Sequence, residues 1–113
     1  MIKIEGTLQE IFDKIAIHLI KQNKQSYCDK TSNCAYRGDN GLMCAAGILI
    51  PDDEYKPEFE RQTWHNLTKE GIVENKFSSE IRKLQIIHDN SHHSIWYDEL
   101  IKFAKNHNLQ INF

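Results

Sequence analysis

LMCAAGILI, residues 42–50, is the stretch on which the reading of this chain turns. Its length suits a buried strand, yet Leu42, Ala45, Ala46 and Leu49 also recur at helical spacing, with small residues that permit close packing. The small side chains favour a short buried helix. Cys44 would then lie in its first turn, where the helix dipole and unpaired N–H groups lower a thiol pKa and can stabilise an oxyanion.

Just upstream, Asp39, Asn40 and Gly41 supply a turn, because Asn and Gly tolerate positive φ. Before that, residues 26–29 and 34–37 flank the polar group Lys30, Thr31, Ser32 and Asn33, which predicts a two-stranded hairpin. Downstream, residues 51–57 form an acidic, turn-rich hinge. Pro57 suits the first turn of a helix carrying Phe59, Trp64 and Leu67, with Gly71 as its stop.

The outer segments read as helices. Thr7 and Glu10 fit a capping box, followed by an apolar stripe of Leu8, Ile11, Phe12, Ile15, Leu19 and Ile20 that ends near Asn23. Residues 1–5 alternate apolar and polar, as a short strand or a frayed end would. Ser78 or Ser79 caps a helix through Ile81, Leu84, Ile87 and His88. Ser94 caps the last, bearing Ile95, Leu100, Phe103 and Ala104, which residues 106–108 end and Leu109 clamps. The sum is a mainly helical α+β fold, four or five short helices packed with a small β-hairpin.

With 113 residues, 40% of them hydrophobic and 27% charged, the chain predicts one compact domain over residues 1–113. The net charge of -2 argues against nucleic acid as the main partner. No apolar run approaches the ~20 residues that span a bilayer, and the amino terminus lacks the basic and apolar regions of a signal peptide. A cytoplasmic location with no membrane partner is expected. In that compartment three cysteines predict free thiols, although a Cys28–Cys34 bridge across the hairpin is conceivable geometrically.

Zinc bound by Cys34, Cys44 and His88 has the right ligand types. Its spacing is wrong: gaps of five and nine residues separate Cys28, Cys34 and Cys44, where structural sites use close knuckles. A cysteine-dependent hydrolase or transferase can be drawn with Cys44 as nucleophile, His88 as base and Asp89 nearby. Set against it is a Cys44 packed in the core beside Ala45, Ala46 and Gly47. His92 and His93, in a polar break, read as exposed linker residues.

Arg37 presents a planar fork suited to a carboxylate or phosphate, with Tyr36, Gly38 and the N–H groups after Gly41 beside it. The alternative is an ion pair with Asp52, Asp53 or Glu54 across the loop.

The frame CAYRGDNGLMCAAGILIPDDEY, followed by LQIIHD, resembles a family of small proteins encoded by phages and prophages. They share CxYR, a turn, GxxCAxGxLI, an acidic DxxY and a later LQxxHD. The likeness runs from about residue 8 to residue 109 and singles out Cys34, Tyr36, Arg37, Gly41, Cys44, Gly47, Asp52, Tyr55, Gln85, His88 and Asp89. Cys28 has no place in it.

The resemblance implies an accessory protein in the cytoplasm of a bacterial host. Such a protein would bind and inhibit a host protein, for example one of antiviral defence, or sequester a small anionic or nucleotide-derived ligand. It would act by stoichiometry, without a cofactor, and a homo-oligomer stays open. The expected recognition set is Tyr36, Arg37, Gly38, Gly41, Cys44, Asp52, Tyr55, Gln85 and His88. The alternatives are the cysteine-dependent enzyme and a zinc-bound interaction module.

Overall fold

Thr7 opens the first helix as its capping box requires: its Oγ1 accepts the Glu10 N–H at 3.2 Å, and Glu10 Oε1 accepts the Thr7 N–H at 2.9 Å. In the computed structural model, which describes residues 1–28 and 33–113, this helix is α1, Leu8–Gln22. Asn23 ends it in the left-handed region at φ 47°, its N–H bonded to Leu19 O. Ile11, Phe12, Ile15, Ala16 and Leu19 are buried. Leu8 and Ile20, at the margins of the expected stripe, are half-buried.

Residues 1–5 make a single parallel bridge, Ile2 to Val73, with Ile2 N–H on Ile72 O and Glu74 N–H on Ile2 O, both 2.8 Å. Strands β1 (Tyr27–Cys28) and β2 (Asn33–Cys34) form the antiparallel hairpin. The turn expected over residues 30–33 lies outside the described residues, except for Asn33, which belongs to β2. The register pairs Tyr27 with Cys34 and Cys28 with Asn33. Facing residues share a side and successive ones alternate, so Cys28 and Cys34 point to opposite faces of the ribbon. A bridge between them is excluded by this geometry, and both thiols are free.

The turn at residues 39–41 forms as expected, with Asn40 at φ 59° and Gly41 at φ 76°. Residues 42–50, however, do not form a helix. Only Gly47–Leu49 completes one 3-10 turn, and Cys44 precedes it, outside any helix. The reason is that side chains from distant elements satisfy the backbone here. Met43 N–H donates to Gln22 Oε1 (3.0 Å), and Met43 O accepts from His18 Nε2 (2.8 Å) and Gln22 Nε2 (2.9 Å). Ala46 N–H donates to Gln85 Oε1 at 2.8 Å. A buried loop is permitted once its peptide groups are paired, whatever pairs them.

The helix expected from Pro57 to Gly71 is two pieces. Pro57–Arg61 is a 3-10 turn, Gln62 is extended, and Thr63 caps α2, Trp64–Lys69, by accepting the Asn66 N–H at 3.1 Å. Gly71, at φ 74°, stops the chain where predicted. Helix α3, Ser78–Asn90, begins after Phe77, which takes the left-handed conformation, so Ser78 is its first residue rather than its cap. Helix α4, Trp96–Asn106, starts later than expected because His93–Ile95 forms a 3-10 turn, and Ser94 caps nothing. Its end matches expectation: Asn108 is left-handed, Leu109 N–H bonds Ala104 O at 2.8 Å, and Leu109 packs against the core.

The apolar faces of α1, α3 and α4 meet Trp64, Leu67 and Val73 in one core, in which Phe12 and Phe103 stack at 5.6 Å. The architecture is mainly helical α+β. Among the described residues no helix is long and apolar enough to cross a membrane.

Candidate functional site

The last turns of α3 carry a connected polar network. His88 faces inward, fully buried and stacked on Trp96 at 5.3 Å. The backbone N–H of Ser26 donates to its Nε2 at 2.9 Å. An amide can only donate, so Nε2 is the bare nitrogen and the ring proton sits on Nδ1. That proton goes to Asp89 Oδ1, 2.8 Å away. Gln85, one turn earlier, donates from Nε2 to the same oxygen at 2.7 Å while its Oε1 holds Ala46 N–H. The Cys34 thiol also hydrogen-bonds this carboxylate. Burial, and then the charge of Asp89, push the Cys34 thiol up to about 11.

Asp89 opens onto a cleft of about 650 Å³ between the hairpin, α3 and the segment that leads into α2. Cys34, Tyr36, Glu60, Trp64, Gln85 and Asp89 line it, and Arg61, Arg82 and Ile86 stand exposed beside it. Tyr36 and Trp64 meet edge to face at 6.5 Å, and the Tyr36 hydroxyl donates to Gln62 O at 2.8 Å. Glu60 spends both oxygens on the fold, accepting Tyr36 N–H (2.9 Å), Arg37 N–H (3.0 Å) and the Tyr55 hydroxyl (2.6 Å). In the same wall Trp64 Nε1 and Gln62 Oε1 are enclosed without a hydrogen-bond partner among the described residues.

Of the expected recognition set, Tyr36, Cys44 and Gln85 line this cleft, and His88 stands behind it, holding Asp89. The rest lie elsewhere. Arg37 is turned into the fold: its guanidinium donates to Gly47 O (2.7 Å), Ile50 O (2.6 Å) and Asp52 Oδ1 (3.0 Å), with the Tyr55 ring 4.9 Å beneath it. The ion pair across the loop is therefore formed, and the same fork also pins the 3-10 turn. Gly38 packs so closely on β1 that a Cβ there would lie 2.8 Å from Tyr27 N. Gly41 is exposed and shapes the turn alone. Arg37→Ala should lower stability by about 2–4 kcal/mol, since it strips charged donors from two carbonyls of an internal loop. Urea denaturation checks this, and an unchanged midpoint would mean that the guanidinium bonds contribute nothing.

Cys44 and His88 are not brought together as nucleophile and base. Cys44 is buried, its sulfur accepts the Gly47 N–H at 3.3 Å, and burial pushes its thiol up to about 12. Both ring nitrogens of His88 are engaged by Ser26 and Asp89. Iodoacetamide at pH 7.5 should leave Cys44 unmodified in the native protein, with a rate at least about a thousandfold below that of the urea-unfolded chain. Labelling of Cys44 at a comparable rate in both states would contradict this burial.

The ligand atoms of Cys34, His88 and Asp89 lie within 4.8 Å of one another. Cys44 is not in that group, so the grouping differs from the Cys34, Cys44 and His88 set expected for zinc. A metal on His88 Nδ1 would also require the ring proton on Nε2, opposed to the Ser26 N–H. The arrangement favours a hydrogen-bond relay over a metal centre.

Sequence reasoning placed no weight on Glu60, Arg61 or Arg82 and treated Trp64 as core alone. Trp64 is core, and its edge is also cleft wall. The charged residues sit in ordinary solvent-facing runs, so nothing local marks them. No family model, curated protein or solved structure matches the chain.

Proposed function

We propose that this protein captures a small anionic ligand of nucleotide type in the cleft beside Asp89, acting by stoichiometry rather than turnover. The observation that carries this reading is the division of the cleft. A carboxylate held by three side chains and an aromatic pair lie inside, and two exposed arginines, Arg61 and Arg82, flank the opening. Arginine suits a phosphate group by charge and by its planar fork. An aromatic wall suits a planar head group.

Capture is preferred to catalysis because burial holds the thiols of Cys34 and Cys44 protonated and both ring nitrogens of His88 are already engaged by Ser26 and Asp89. It is preferred to blocking a host protein because the feature is concave and lined by charged as well as aromatic groups, where a protein interface would centre on an apolar patch. The resemblance to phage accessory proteins supports a stoichiometric role. The recognition element accordingly moves from Arg37 to Asp89, Arg61 and Arg82.

Calorimetric titration with nucleoside monophosphates tests the reading. At least one should bind, and Arg61→Ala combined with Arg82→Ala should weaken it about tenfold or more with little change in thermal midpoint, as for exposed side chains. Binding that is indifferent to both arginines would remove the assignment of the anion to them.

A further inference from the structure

We infer that Asp89 is the specificity-determining group of the cleft, and that it selects a ligand whose inward end is an amino-substituted heterocycle; the inference rests on the capture reading above. Among the described residues two acids border the cleft, and they are used differently. Glu60 spreads its hydrogen bonds over both oxygens, one on Oε1 and two on Oε2, all from the fold's own donors. On Asp89 both nitrogen donors, His88 Nδ1 and Gln85 Nε2, converge on Oδ1. Among the described residues the Cys34 thiol is the one further donor to this carboxylate, so Asp89, whose side chain is 34% exposed in the cleft wall, keeps acceptor capacity on Oδ2.

The orientation of that carboxylate is fixed from behind. His88 cannot turn its proton elsewhere, because Nε2 is bound by the Ser26 N–H and the ring is packed on Trp96. Gln85 cannot swing, because its oxygen holds Ala46 N–H. What Asp89 offers to the cleft is thus a positioned acceptor. A ligand must meet it with a hydrogen-bond donor, and on a flat ring the exocyclic amino group is the donor that projects farthest from the ring edge. An oxo group in the same place would set lone pairs against the carboxylate, and a site built around a hydrogen bond discriminates strongly against an analogue that lacks it. Tyr36 and Trp64 on one side and the exposed Ile86 on another favour a flat, weakly polar body between this donor and the arginines.

The test uses nucleotide pairs that differ at the amino group. Calorimetric titration would compare cytidine with uridine monophosphate, and adenosine and guanosine monophosphates each with inosine monophosphate, using ribose 5-phosphate as the phosphate-only reference. The amino member of at least one pair should bind about tenfold tighter or more, and Asp89→Asn should bring that ratio below about threefold while leaving ribose 5-phosphate unchanged. If Asp89→Asn does not fold, Asp89→Glu keeps the charge, displaces the oxygen by one methylene, and is read by the same ratio.

Equal affinity within all three pairs would overturn the inference, as would a variant that weakens both members and ribose 5-phosphate alike. Nucleotides that bind without preferring the amine would remove this inference and leave the capture reading standing. No binding by any probe would remove both.

Discussion

Gly47→Ala should cost about 4 kcal/mol or more, a large part of the stability of a domain this size. A Cβ at Gly47 would fall on the carbonyl oxygen of Tyr36, inside van der Waals contact, and would lie 3.0 and 3.1 Å from the Tyr36 Cα and carbonyl carbon. All three are backbone atoms, so no rotamer change relieves the clash. The displacement cannot stay local. Tyr36 and Arg37 are tied through their N–H groups to Glu60, and Gly47 O is tied to Arg37. Urea denaturation of the variant should show a midpoint lowered by several molar units of urea or no cooperative transition at all. A loss below about 1 kcal/mol would show that this close approach is not required by the fold.

His88→Ala is the second large effect, at about 3–5 kcal/mol. The variant leaves the Ser26 N–H unpaired in the interior, removes the stacking partner of Trp96, opens a cavity, and frees Asp89 from one of its donors. His92→Ala supplies the contrast within the same sequence run: His92 is exposed, and its ring meets the nearby Ser94 and His93, so its loss should be within about 0.5 kcal/mol. Comparable losses in the two variants would mean that the relay adds nothing to the fold.

What was legible in the sequence was whatever depends on near neighbours. The capping box at Thr7 and Glu10, the helix end at Asn23, the turn at Asn40 and Gly41 and the stop at Gly71 all formed where residue type and spacing placed them. The misses share the opposite cause. Residues 42–50 have a helical period, but their peptide groups bond Gln22, Gln85 and Arg37, which no local window contains. Trp96 delays α4 because its fully buried indole donates from Nε1 to Ser91 O, which suits the 3-10 turn that precedes the helix.

The break at Gln62 could have been read, since Thr63 is a good cap with Asn66 three residues on. The cleft was partly visible. His88, Gln85 and Asp89 follow one another down a helix at spacings that bring Gln85 and Asp89 together, and Tyr36 and Cys44 belong to the frame first quoted. Its arginines were not visible, because an exposed arginine beside a cleft and one beside open water are spelled alike.

The loop at residues 42–50 has a consequence for the order of folding. Its supports come from residues 21 positions upstream and 39 downstream, so they exist only after α1 and α3 have been brought near each other. A helix in that place would carry its own backbone hydrogen bonds; this loop depends on its scaffold for them. Because Gln85 both holds Ala46 and orients Asp89, the wall of the cleft and the internal loop share one support, and loosening either loosens the other.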